Sequence, residues 1–265
     1  MIFSEALLLS IIANYSLPFV RISACIMSMT AFGSGSVPSV VKLGLAIAVT
    51  IVMVPSIPPL SQDIYLLSPT YFVLVGYQML IGIMLGFITQ FISQIFVIAG
   101  QVIAMQTGLG FASLVDPVSG SNTPVVGQFF TVLTMLMFFQ VDGHIAVFYL
   151  IHMSFTALPI GMNGLFDIPF VEIAKFGSVM FYIALSLSIS SICAMLLVNF
   201  TFGVLTRAAP QLNIFSMGFA VSLVCGIIVL KLVMFGFSIH FINSMNKVFD
   251  LGCRVVGESC PNVFY

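Results

Sequence analysis

Seven apolar runs, near 6–30, 39–58, 70–104, 124–141, 144–160, 171–205 and 214–246, take up most of this chain. Of its 265 residues, 60% are hydrophobic and 6% charged, and the mean hydropathy is +1.22. Soluble domains carry about 25% charged residues, so a water-facing shell cannot be assembled here. Lipid admits only helices and closed barrels as spanning structures, and most of these runs meet the ~20 residues a helical span needs. The expected fold is therefore all-α: a polytopic helical membrane protein. The formal net charge of −1 gives no basic field, so no nucleic-acid partner is expected.

Three runs, 70–104, 171–205 and 214–246, are too long for a simple span. At about 1.5 Å per residue a 30-residue helix reaches roughly 45 Å, against a hydrocarbon core of about 30 Å. Such helices must tilt, bend or project into an assembly. The pair 124–141 and 144–160 is shorter and reads as a tight hairpin about Asp142-Gly143-His144. The first run has Glu5 and no basic residue ahead of it, so it lacks the positive start of a secretory signal and is expected to be retained. Ile22-Ser23-Ala24-Cys25 has the outline of a lipoprotein cleavage box, but Arg21, Asn14 and Pro18 argue against processing.

The segment Met105–Gln128, MQTGLGFASLVDPVSGSNTPVVGQ, breaks this pattern. Its glycines, its two prolines and its cluster of hydroxyls and amides forbid one regular helix. Non-helical backbone is tolerated at membrane depth only where protein buries it or water reaches it. The segment is therefore a candidate to line or close a passage, and flexible Met105 at its edge suits a compliant seal.

The helix before it carries a readable stripe. Stepping ~100° per residue from Gln90, Gln94 and Gln101 fall within roughly 40°, with Gly82, Gly86, Ser93 and Gly100 just beside them. Gly82-x-x-x-Gly86 suits close helix packing, and the three glutamines suit either a helix contact or an aqueous path.

Catalysis finds no footing. His144, His152 and His240 come without a nucleophile or a carboxylate set, and Gly108-Leu109-Gly110 lacks the third glycine and the strand of a nucleotide loop. Of the five cysteines, Cys25, Cys193 and Cys225 lie in apolar runs, while Cys253 and Cys260 read as two unrelated tail thiols rather than a bridge. No enzyme, cofactor or metal site is expected. Lys231, set between Ile227–Leu230 and Leu232–Met234, is a different matter, because an ionisable group at that depth is a functional hypothesis by default.

Two longer runs are specific. Met105–Pro117 followed by Pro124-Val125-Val126-Gly127-Gln128, and Gly203–Phe219 containing Arg207-Ala208-Ala209-Pro210-Gln211-Leu212-Asn213, resemble the FliR family of flagellar biosynthetic proteins. Asp142-Gly143-His144 and Leu158-Pro159-Ile160-Gly161 fit as well, so the likeness covers nearly the whole chain. Ala220 and Asp142 stand where the family often has proline and asparagine.

The resemblance implies a subunit of the export gate of a bacterial type III secretion apparatus, at the inner membrane and the flagellar basal body. It implies long bent helical hairpins within a helical hetero-oligomer with FliP and FliQ, with FlhB and FlhA attached and unfolded export substrates passing through. It also implies a FliP-like part over 1–141, including a non-helical plug loop at 105–124, and remaining hairpins with a FliQ-like part over 142–265. The plug would comprise Met105, Gly108, Leu109, Gly110, Phe111, Leu114, Val115, Asp116, Pro117 and Asn122. Its apolar members would form a dewetted obstruction. Gln90, Gln94, Gln101, Arg207, Pro210, Gln211 and Lys231 would be subunit contacts or joints. The rival reading is a secondary transporter with a helix broken at 108–124 and a site near Lys231.

Overall fold

A computed structural model describes residues 5–35, 37–58, 68–110, 125–161, 169–208 and 214–257. Among them every regular element is helical: α1 (Glu5–Ser28), α2 (Ser39–Met53) with a 3-10 turn at Val54–Ser56, α3 (Pro69–Thr107), α4 (Val125–Gln140), α5 (Gly143–Ala157), α6 (Phe170–Ala208) and α7 (Ile214–Val256). Four helices or helical stretches, at 39–56, 69–107, 170–205 and 218–256, are long and apolar enough to cross a membrane. The chain is an all-α polytopic membrane protein.

The helices begin and end where the sequence permits. Pro69 opens α3 at a position where its missing N–H costs nothing. At the other end Gly108 takes a φ of +80°, which a side-chain-bearing residue resists, and Gly257 ends α7 in the same way at +84°. Lys42 donates from Nζ to the carbonyls of Gly33 and Ser34 at 3.2 and 3.0 Å, tying the start of α2 to the turn that follows α1.

Two expectations are corrected. Between α4 and α5, Asp142 turns the chain with a φ of 54°, but the two helices are bent by 68° across the break rather than folded back as a hairpin. Cys253 is disulfide-bonded, to a partner outside the described residues, so it is not an unrelated thiol. The last helix also runs further than the apolar run that announced it. Met245, Val248, Phe249, Gly252, Val255 and Val256 recur at helical spacing and are buried, while Lys247, Asp250 and Arg254 stay in the open.

Contacts divide the chain into two units: unit one is 1–91, 138–175 and 246–265, and unit two is 92–137 and 176–245. Unit one is organised around Arg21, which is wholly buried despite its charge. Its Nε donates to Gln78 Oε1 at 2.7 Å, Nη1 to the Ser154 carbonyl and Oγ at 2.7 and 3.2 Å, and Nη2 to the Leu158 carbonyl at 2.9 Å. The guanidinium also lies 4.2 Å from the centroid of the Phe155 ring. It thus supplies the Leu158 carbonyl just past α5 and adds a second donor to the Ser154 carbonyl, which also accepts the Leu158 N–H at 3.0 Å, at a helix end where a cation complements the dipole. On α3, Gly82 and Gly86 press directly on Arg21, Cys25 and Ser28 of α1, close enough that a Cβ at either glycine would collide.

Unit two is held by aromatic packing. Phe96 of α3 meets Phe237 and Phe241 of α7 at centroid distances of 4.8 and 5.7 Å, and Phe130 of α4 stacks on Phe237 at 5.7 Å. From α6, Ala184, Ser188, Ser191 and Met195 are buried on one face, while Asn199, next in the same register, is exposed.

Candidate functional site: the junction of α3 and α4

The unusual central segment is anchored at both ends within unit two. Thr107, the last residue of α3, is fully buried, and its side chain sits against Gly226 of α7, where a Cβ would come within 2.5 Å of Thr107 Cβ. Thr107 Oγ1 donates back to the Ile103 and Ala104 carbonyls at 2.9 and 3.2 Å, leaving only its methyl for α7. Past Thr107, Gly108 is buried against the Phe219 ring, and the Gly110 N–H returns to the Ala104 carbonyl at 2.9 Å. This wrap consumes a carbonyl that the end of the helix would otherwise leave unpaired.

The return side is equally close. Gly100 of α3 faces Gly127 of α4, with a notional Cβ on Gly100 only 3.1 Å from Gly127 Cα and 2.7 Å from the Phe130 ring. Any side chain at Gly100 would push the two helices apart. The described chain therefore leaves α3 and resumes in α4 where the two helices touch at Gly100 and Gly127. Met105 is 59% exposed at its foot, and its Sδ lies over Gly110.

Met105, Gly108, Leu109 and Gly110 of the expected plug are thus gathered in one turn. Phe111, Leu114, Val115, Asp116, Pro117 and Asn122 lie outside the described residues, as do Pro210 and Gln211. The three glutamines meet different surroundings. Gln90 donates from Nε2 to the Ser28 carbonyl of α1 at 2.7 Å, Gln94 is exposed, and the Cγ of Gln101 lies against Gly127. Arg207 and Lys231 are both exposed, and neither has a hydrogen bond or ion pair among the described residues.

Sequence reasoning passed over Arg21 and Gln78. The signal was available: Arg21 is an ionisable residue inside an apolar run, the same argument that singled out Lys231. Among the described residues no group of three His, Cys, Asp or Glu side chains is placed to hold a metal ion.

Residues 12–248 match the family model described as bacterial export proteins, family 1. The chain is 35% identical over 244 residues to the flagellar biosynthetic protein FliR of Escherichia coli K12, covering 92% of this chain and 93% of that protein. It is 33% identical over 240 residues to the protein of the same name from Pectobacterium carotovorum, covering 91% of each. With that from Bacillus subtilis it shares 30% over 220 residues, covering 82% and 84%. The match reaches each of the seven described helices, and the chain belongs to bacterial export protein family 1.

Proposed function

We propose that this chain is a core subunit of the flagellar type III protein export gate, and that it helps form and plug the channel by which unfolded flagellar subunits cross the inner membrane. The observation that carries this reading is the end-to-end likeness to flagellar biosynthetic proteins, at up to 35% identity over 92% of the chain. On this reading the chain assembles with FliP and FliQ, with FlhB and FlhA attached, at the basal body in the bacterial inner membrane. Part of the complex projects towards the periplasm. Residues 1–141 form the FliP-like part, and the FliQ-like part lies within 142–265.

A closed secretion pore must stop ions and still pass an unfolded polypeptide. The plug does this by displacement rather than chemistry. Leu109, Phe111, Leu114 and Val115 present an apolar obstruction that water leaves readily. The helices that carry them are locked together at Gly100 and Gly127, so the loop swings from a rigid base. Gly108, Gly110 and Pro117 give a backbone that moves aside without melting a helix. Ser113, Asp116, Ser119, Ser121 and Asn122 satisfy its exposed backbone groups when it lies in water. The subunit acts by gating, and the energy for transport comes from elsewhere in the apparatus.

Deleting residues 108–121 in the assembled gate is the test. Membrane conductance of cells carrying the deletion should rise well above that of the parent strain. Unchanged conductance, with the complex intact on a native gel, would defeat the plug reading.

A further inference from the structure

Helix α7 presents three different sides. At about 100° per residue, Gly226 and Phe237 lie together on the side that packs on α3 and α4, while Gly236 and His240 border a groove shared with Ser186, Ser190 and Ala194 of α6. The third side carries Val224, Ile227, Ile228, Phe235 and Ser238, all exposed, with Phe235 at 76%. Lys231 stands at its centre, exposed, with no hydrogen bond or ion pair among the described residues.

Lipid alone does not suit this side. Lipid cover would oblige the ammonium to reach a membrane surface, leaving one flank of α7 to span the core. Within α7 the stretches free of Asp, Glu, Lys and Arg on either side of Lys231 are 214–230 and 232–246, the first at the lower limit of the about 17–25 residues a span takes and the second below it. Nor does unit two offer a counter-ion of its own. Over 92–137 and 176–245 the only acidic residue is Asp116, which lies outside the described residues, against Arg207 and Lys231.

We infer that Lys231 is one half of an ion pair buried between subunits, and that the side of α7 around it docks a membrane helix of another chain bearing an Asp or Glu at matching height. The inference rests on the assembly reading above and adds the chemistry of the partner. The apolar residues supply the packing, and the lone charge sets the register, because a helix displaced by a turn would leave two unpaired charges buried.

The experiment uses the full-length chain carrying an affinity tag, extracted from membranes in mild detergent, with the co-purifying subunits quantified. Wild type and Lys231→Arg should recover the other gate subunits equally. Lys231→Met should recover at least tenfold less, and Lys231→Glu less again, while the tagged chain itself accumulates and resists protease as wild type does. Reversing one partner carboxylate to lysine should restore recovery to Lys231→Glu alone. Several results would overturn the ion pair. One is full recovery by Lys231→Met, and another is an Asp116→Asn variant that loses as much as Lys231→Met, which would locate the counter-ion within the chain. Labelling of Lys231 in the intact complex by a membrane-impermeant amine reagent would do the same. If the wild-type chain recovers no partner at all, the assembly reading falls and the ion pair with it; full recovery by Lys231→Met removes the ion pair alone.

Discussion

Arg21 and Lys231 are both cations set in apolar helices, and the chain treats them in opposite ways. Arg21 in unit one is buried and spends its donors on four acceptors from α3, α5 and the residue just after α5, with Phe155 beneath it. Lys231 in unit two stands in the open among exposed apolar residues, with no acceptor among the described ones. The difference follows from side-chain chemistry as well as place. A planar guanidinium can serve several carbonyls at once and cap the end of a helix, whereas an ammonium is a point charge that calls for one anion. The first charge ties together helices of unit one, and the second meets no acceptor among the described residues.

The largest effect should come from removing the internal charge. Arg21→Ala leaves the Gln78 Oε1 and the Leu158 carbonyl without their guanidinium donor and strips the Ser154 carbonyl to its single bond from the Leu158 N–H, and should cost about 3–5 kcal/mol. Thermal melting of the detergent-solubilised chain would show it as a much lower Tm or as failure to accumulate. Lys231→Ala should leave that Tm close to wild type, and an equal drop for the two variants would erase the contrast. Next comes Gly226→Leu, which drives a side chain into Thr107 at the foot of the loop and should cost about 1–3 kcal/mol.

Ser154→Ala trims a single hydroxyl from the Arg21 cluster and leaves its backbone carbonyl in place. A loss of about 0.5–1.5 kcal/mol is expected. A loss as large as that of Arg21→Ala would mean that the hydroxyl, not the carbonyls, holds the guanidinium. Smallest of all is Asp250→Asn, which breaks the 2.8 Å pair with Arg254. Both side chains are more than half exposed, so the change should be within about 0.5 kcal/mol and should shrink further in high salt.

Much of the fold was legible in the sequence, because apolar runs and their punctuation translate directly into helix ends. Runs expected at 70–104 and 171–205 appear as helices at 69–107 and 170–208. The last helix was underestimated because past Asn246 it turns from uniformly apolar to amphipathic, so that burial is carried by spacing and not by composition. The bend at Asp142 was located but its angle was not, since a turn residue marks where a chain breaks and not how far it rotates. Of the candidate site, the sequence marked out the segment itself, and Gly100 and Gly127 as small residues. That they meet across α3 and α4 depends on tertiary packing, which no single helix reveals. Arg21 was missed for a related reason. Its worth depends on acceptors 57 to 137 residues away, and a lone arginine in an apolar run does not disclose them.

The account turns on where the loop between α3 and α4 lies in the assembled gate. Its most direct test is a photo-reactive amino acid in place of Phe111, activated in intact cells with the export apparatus assembled, and the adducts identified by mass. Adducts to the channel-facing residues of other subunits and, during secretion, to polypeptide in transit are the predicted result. Adducts to acyl chains alone would contradict it.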